Sequence, residues 1–161
     1  KFGNTTVKAF PTPHDSAAAV GYSIEHRSTD GSSEKFGLAT DIGCITDTLL
    51  SELSGADSVV IEANHDVNML QVGPYPYYLK QRILGDRGHL SNENSGRLLC
   101  RILHDKLKTV LLGHLSKENN LPELAYESVR MEINMGENPY KAGDFDIRVA
   151  KRSEVTAVVN L

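Results

Sequence analysis

With 161 residues, the chain is long enough for one ordinary domain with its own core, and its 40% hydrophobic and 24% charged residues are typical of globular proteins. No apolar run approaches the ~20 residues that a membrane-spanning helix needs, so the sequence predicts no membrane partner. The net charge of −4 is unevenly spread. Segment 80–108 has seven basic and three acidic residues, a local charge of +4, and the remainder carries −8.

In chain order, the first half of the sequence predicts strands and one helix. Strands are expected over 5–13, 19–27 and 35–41, where a turn-rich segment at 28–34 joins the second to the third. A helix is expected over 45–56, and the apolar run 58–64 predicts a strand covered on both faces.

The second half predicts more helix. Segment 67–85 contains a Gly-Pro break and then a helix, and 91–107 predicts a helix capped by Ser91. A buried strand over 109–113, a helix over 121–134 and a final strand or hairpin over 145–161 complete the pattern. Strands that alternate with helices predict an α/β fold, and no internal domain boundary is apparent.

The pattern Gly-His-Leu-Ser-x-Glu-Asn occurs twice, at 88–94 and at 113–119. The first copy precedes a helix and the second follows a buried strand, and nothing around the two copies repeats. The pattern therefore indicates two histidines, His89 and His114, presented by different local structures, and not a duplicated module.

Four of the six histidines and one carboxylate stand at predicted strand ends or in loops, where α/β sheets place ligands and catalysts. They are His14, Asp41, His65, His89 and His114. Such a group can bind a divalent metal that lowers the pKa of water, and a histidine that is not a ligand can protonate a leaving group. The alternatives stay open: a strand-end histidine can be a turn residue, and Asp41 can cap the helix near residue 45. His26 and His104 are expected to be solvated and inert.

Five segments together resemble the metallo-β-lactamase-fold hydrolases of the YycJ/WalJ type, and more distantly the tRNA 3′-processing endonucleases and the phosphodiesterase of phosphonate breakdown. They are PHDSAAAVGY, LATDIG, ADSVVIEANHDVNML, GHLSNENSG and VLLGHLSKENN, in this order along the chain. The resemblance covers roughly residues 5 to 130. It implies a four-layer αβ/βα sandwich, of which this chain is the C-terminal half.

The resemblance also implies a role for each site residue. His14 would complete a first metal site, Asp41 would bridge two divalent ions (Zn²⁺ or Mn²⁺), and His114 would bind the second. His89 would act on the phosphate or the leaving oxygen without binding metal. Asn64, His65 and Ser116 would form the wall of the site.

The implied activity is phosphodiester hydrolysis, as a 5′→3′ exonuclease on double-stranded DNA whose backbone the 80–108 segment contacts. The two cysteines, Cys44 and Cys100, form no C-x-x-C motif and indicate reduced thiols, so a cytoplasmic location is expected.

One departure from the family pattern is large, because its His-x-His-x-Asp-His signature, which supplies four ligands, is absent and no His-x-His occurs. The chain also begins at Lys1 in a strand-like segment. We therefore expect a missing N-terminal half as partner, an exposed sheet face that this half would cover, and no activity without it. Two other functions remain open: a small-molecule hydrolase of the same superfamily, and a non-catalytic half-sandwich that binds a partner or nucleic acid.

Overall fold

The computed structural model describes residues 1–158 and contains one six-stranded sheet with the strands side by side in chain order. The first three strands are antiparallel and the last four, β3 to β6, are parallel. The strands are β1 (Thr5–Pro11), β2 (Val20–Arg27), β3 (Ser33–Ala39), β4 (Ser58–Glu62), β5 (Thr109–Gly113) and β6 (Asp146–Val149). This arrangement confirms the predicted α/β class.

Helices supply the parallel connections. They are α1 (Asp47–Leu53), α2 (Val67–Val72), α3 (Tyr77–Leu84), α4 (Asn92–Cys100) and α5 (Pro122–Met135), and a short 3₁₀ turn, Ala142–Asp144, precedes β6. Thr46, Asp66 and Ser91 cap α1, α2 and α4, each accepting a backbone N–H three residues on. The predicted cap at Ser91 is confirmed, and because Thr46 caps α1, Asp41 is free for another role.

Several predicted elements are shorter in the structure, and two of them differ most from the prediction. The helix predicted over 91–107 ends at Cys100, because the next amides bond three residues back, as Ile102 N does to Leu99 O (2.8 Å), and tighten the chain into a turn. In that turn His104 Nε2 lies 3.1 Å from Ala56 O, so His104 is not simply solvated as predicted. Of the segment predicted over 145–161, only Asp146–Val149 forms a strand, and residues 159–161 lie outside the described part.

The hydrophobic core lies on one side of the sheet, under α1, α4 and α5. Side chains such as Ile61 and Leu112 from the strands and Leu98 and Val129 from the helices are fully buried there. Helices α4 and α5 approach closely at Gly96, where an added Cβ would lie 2.5 Å from Glu132 Cβ. No helix within residues 1–158 is long and apolar enough to cross a membrane.

The other side of the sheet, which we call the open face, is apolar. The core helices of the described chain do not pack against it. Strand pairing places its side chains in continuous rows, for example Tyr22 beside Leu38 and Leu38 beside Val60. Val7, Val20 and Tyr22 are 37–41% exposed. The face is formed by Val7, Ala9, Val20, Tyr22, Ile24, Phe36, Leu38, Val60 and Leu111. Isolated globular domains seldom leave so large an apolar surface uncovered.

Candidate metal centre

The carboxyl ends of the parallel strands meet at one edge of the sheet, and polar side chains gather there. Asp41 stands two residues after β3, Glu62 is the last residue of β4, and His114 follows β5 directly. His14 from the loop after β1 and His89 from the loop before α4 complete the group. We call these five residues the metal centre. The structure thus brings together all four residues predicted to bind metal or act on phosphate, and adds Glu62.

The Asp41 carboxylate is central in this group. Its Oδ1 lies 3.7 Å from His14 Nε2, 3.8 Å from His89 Nδ1 and 3.9 Å from His114 Nε2. The Asp41 side chain is 38% exposed and that of His114 is 42% exposed, so the centre opens to solvent. A ligand that enters from outside therefore meets one carboxylate oxygen surrounded by three imidazoles.

Glu62 organises the centre from beneath and is fully buried. Its Oε2 accepts the backbone N–H of Asp41 (2.8 Å) and lies 2.7 Å from His114 Nδ1 and 3.1 Å from His89 Nδ1. Its Oε1 accepts from Leu90 N (2.7 Å) and weakly from Ile42 N (3.4 Å). With both oxygens occupied in this way, Glu62 orients the side chains around it and is poorly placed to bind a metal itself.

The hydrogen bonds of Glu62 also set the ionisation of the centre. Burial raises the pKa of its carboxyl, but hydrogen bonds and charges from His114 and His89 outweigh burial and leave the pKa at about 2. The bond to Glu62 in turn raises the pKa of His114 against the opposing effect of burial. Glu62 is therefore a permanent anion beneath the histidines at neutral pH.

Inner contacts hold two of the histidines by Nδ1, and the Nε2 atom of His14 also lies 3.5 Å from Asp15 Oδ1. His14 Nδ1 lies 2.9 Å from the carbonyl of Gly88, and His114 Nδ1 is bonded to Glu62, so each ring presents Nε2 towards Asp41. An imidazole whose Nδ1–H donates to an oxygen is the usual form of a metal-binding histidine. His89 differs, because it faces Asp41 as well as Glu62 through the same nitrogen, Nδ1.

The donor atoms suit a divalent ion by size. Two ligand atoms each about 2.1 Å from Zn²⁺, at an angle of 109–120°, lie about 3.4–3.6 Å apart. The 3.7 and 3.9 Å separations of Asp41 Oδ1 from His14 Nε2 and His114 Nε2 are close to this range. Asp41, Glu62, His89 and His114 also each offer a ligand atom within 4.8 Å of one another, a group that does not include His14.

The residues predicted to line the centre lie near it in different ways. Asn64 Nδ2 donates to the carbonyl of His114 (2.9 Å), and Ser116 N donates to the carbonyl of Asn64 (2.7 Å), so both support the loop after β5. His65 is 1% exposed and neither ring nitrogen has a hydrogen-bond partner in the described chain, although its carbonyl accepts Asn92 N (2.9 Å). Their roles in the site remain predictions.

The basic segment 80–108 does not form one surface. Arg82 is bonded to Asp15 and Arg87 Nη2 donates to His14 O (3.2 Å), so these two lie beside the metal centre. Lys106 and Lys108 precede β5 and therefore lie at the opposite end of that strand. The predicted contact of segment 80–108 with a DNA backbone remains a prediction, and beside the metal centre it concerns Arg82 and Arg87.

Glu62 is the functional residue that the sequence analysis missed. It ends the apolar run Ser58–Glu62 and was taken as part of a covered strand. A carboxylate that closes an apolar strand just before a histidine-containing loop is the signal that indicates it, because such a charge is buried only when it is paired.

Comparison with known proteins finds relatives that are named exodeoxyribonucleases. It is 42% identical over 125 residues to exodeoxyribonuclease WalJ of Streptococcus pneumoniae, a match that covers 78% of this chain and 45% of WalJ. It is 38% identical over 128 residues to exodeoxyribonuclease YycJ of Bacillus anthracis, covering 80% of this chain and 47% of YycJ. No protein-family model matches the chain.

Solved structures agree on the fold. The chain aligns with human tRNase Z, short form, at a TM-score of 0.55 and 17% identity, over 99% of this chain and 46% of the other. It aligns with Zn²⁺-bound PqqB of Methylobacterium extorquens at a TM-score of 0.52 and 16% identity, over 91% of this chain and 45% of PqqB. A diphosphatase of the PhnP family aligns at a TM-score of 0.50 and 16% identity, and the alignment covers 91% of this chain and 42% of the diphosphatase. All three have the metallo-β-lactamase fold.

The resemblance drawn from the sequence is thereby confirmed: the chain is a homologue of the WalJ and YycJ exodeoxyribonucleases with a fold that forms part of the metallo-β-lactamase-type αβ/βα sandwich, and it spans about half the length of the curated relatives that it matches.

Proposed function

We propose that this chain supplies one part of the active centre of a metal-dependent exodeoxyribonuclease. The observation that carries the proposal is the convergence of His14, Asp41, His89 and His114 on one solvent-open point, in a chain 42% identical to exodeoxyribonuclease WalJ. DNA is the proposed substrate because the relatives are exodeoxyribonucleases, and a cytoplasmic location, where the free cysteines would stay reduced, is part of the proposal.

In this proposal His14, Asp41 and His114 hold two divalent ions, Zn²⁺ or Mn²⁺, and Asp41 is shared between them. Ions bound there would neutralise phosphate charge and lower the pKa of water, the chemistry of two-metal phosphodiester hydrolysis. The buried Glu62 anion fixes the ring orientation of His114 and His89. Because the His89 ring is held from its Nδ1 side, its Nε2 is available to donate a proton to the leaving oxygen.

We further propose that the other half of the sandwich covers the open face. Glu62 lies on the same side of the sheet as Val60, so the metal centre stands at the rim of that face. Three ligand residues are too few for two tightly held ions, and the matched relatives are about twice as long as the match. A segment that packs on the open face therefore brings the missing ligands to the same edge.

The experiment is a nuclease assay on linear double-stranded DNA with Mn²⁺ or Zn²⁺, using this chain alone and a longer polypeptide that contains it at the length of WalJ. We expect hydrolysis by the longer form only, and a loss of at least 100-fold in His14→Ala, Asp41→Asn and His114→Ala. His26→Ala is the matched control, because His26 is exposed on β2 and bonded only to Thr5. Full activity of the chain alone would refute the need for a second half.

The same assay separates the two other functions. A small-molecule hydrolase would turn over small phosphodiesters or lactones and ignore DNA. A non-catalytic module would bind DNA in a salt-dependent manner without metal-dependent cleavage.

A further inference from the structure

A cleft of about 460 Å³ lies next to the metal centre, between the segment that follows β5 and the segment that follows β6. A smaller cavity of about 290 Å³ reaches from His114 to Lys151 and Arg152, and it shares both basic residues and Leu115 with the larger cleft. The two spaces therefore form a path from the metal centre into the larger cleft, which we call the β5–β6 cleft. The function proposed above leaves it unused.

The lining of the β5–β6 cleft combines apolar walls with a basic rim. Leu121, Pro122 and Val149 supply apolar surface, and Lys117, Lys151 and Arg152 supply positive charge. Arg152 Nη2 donates to the carbonyl of Leu115, which holds the guanidinium at the boundary between the two cavities. Lys151 is paired with Glu154 (2.5 Å), so Lys117 and Arg152 are the cations without a carboxylate partner among the described ion pairs.

This chemistry fits one nucleotide. Pockets for small ligands measure about 300–1,000 Å³ and combine apolar walls with a few polar groups that fix orientation, and the cleft is of this kind. A flat nucleobase packs well on apolar side chains, and a guanidinium can bind a phosphate through two parallel hydrogen bonds. An inorganic anion alone would leave the apolar walls unused.

We propose that the β5–β6 cleft binds the terminal nucleotide of a DNA strand. The base packs against Leu121 and Val149. Arg152 and Lys117 hold the phosphate of the same nucleotide, on the side of the cleft that faces His114. The cleft has room for one nucleotide, so one nucleotide lies beyond the bond to be hydrolysed. This inference rests on the proposed nuclease function for the identity of the strand, whereas the ligand chemistry, a deoxynucleoside monophosphate, can be tested without it.

The test is a titration of this chain, without metal, with 5′-dAMP, followed by methyl resonances in nuclear magnetic resonance spectra. We expect saturable shifts at Leu115, Leu121 and Val149, at least tenfold weaker binding in Arg152→Ala, and intermediate binding in Arg152→Lys. Arg130→Ala is the matched control, because Arg130 lies on the outer surface of α5 and is paired with Glu127.

Two further probes divide the contributions of phosphate and base. Deoxyadenosine and inorganic phosphate should each bind at least tenfold more weakly than 5′-dAMP, and the strand (dA)₄ should displace 5′-dAMP. The proposal is overturned if 5′-dAMP leaves these methyl groups unshifted, if Arg152→Ala binds like the parent, or if inorganic phosphate alone reproduces the shifts.

Failure of this inference is distinguishable from failure of the nuclease proposal. Hydrolysis of DNA by the longer polypeptide without 5′-dAMP binding at the cleft would overturn the nucleotide pocket and keep the nuclease. Binding of 5′-dAMP with the expected Arg152 dependence would support the pocket even if the longer polypeptide did not hydrolyse DNA.

Discussion

Replacement of Glu62 by Gln should destabilise the chain by about 3 kcal/mol, although the two side chains have nearly the same shape. Glu62 accepts three backbone N–H groups and faces two imidazole nitrogens from a fully buried position. The amide of Gln retains one accepting oxygen and turns an NH₂ group towards donors that then lack a partner. A lost hydrogen bond to a charged group costs about 1.5–3 kcal/mol, and breaking a buried charged pair about 3–5 kcal/mol.

The assay is urea unfolding at pH 7 followed by circular dichroism, comparing the midpoint and slope of parent and variant. Glu127→Gln on α5 is the matched control. Glu127 is half-exposed and paired with Arg130 at the surface, so its replacement should change the free energy of unfolding by less than about 0.5 kcal/mol. Because Glu62 orients His114, Glu62→Gln should also weaken divalent metal binding by about 10–100-fold in titration calorimetry. A Glu62→Gln variant as stable as the control, with unchanged metal affinity, would refute its organising role.

Two further perturbations follow from buried contacts. Burial, the largest effect, lowers the pKa of His65 from 6.5 to about 4, so its stabilising contribution is present well above pH 6.5 and falls by about 2 kcal/mol between pH 6.5 and 4.5. Urea unfolding at these two pH values should show the loss in the parent, and a His65→Leu variant with the same pH dependence would contradict it. Gly96→Ala should lower the free energy of unfolding by about 1–3 kcal/mol, because the new methyl group meets Glu132. Gly143→Ala is the control, because the space around Gly143 is open and its free energy of unfolding should not fall. Equal urea midpoints for the two variants would refute this packing argument.

The positions of the metal-centre residues could be predicted because they depend on strand ends. Asp41 comes two residues after β3 and His114 directly after β5, and parallel pairing of β3, β4 and β5 brings these strand ends to one edge of the sheet, where the sequence placed them. The repeated Gly-His-Leu-Ser pattern was also correctly separated into a residue before α4 and a residue after β5. In each case a local rule was sufficient, because strand order and parallel pairing bring these ends together.

What could not be predicted depends on long-range contacts. The burial of Glu62 is favourable only because His89 and His114, 27 and 52 positions away, approach the same oxygen. The early end of α4 likewise reflects packing, since the segment after Cys100 turns so that His104 meets Ala56. The basic residues of segment 80–108 likewise separate in space, because Arg82 and Arg87 lie beside the metal centre and Lys106 and Lys108 lie at the opposite end of β5.

The backbone itself indicates that this edge of the sheet serves function more than stability. Asp41 and His114 are the two non-glycine residues of the described chain with positive φ, at 56° and 55°. A left-handed backbone costs a residue other than glycine roughly 1 kcal/mol or more, although Asp and His tolerate it better than most. Both unfavourable positions belong to the metal centre, and both are held by the same oxygen of Glu62, which accepts Asp41 N–H and faces His114 Nδ1. The buried anion therefore stabilises a backbone geometry that turns two donor side chains towards each other before any metal binds.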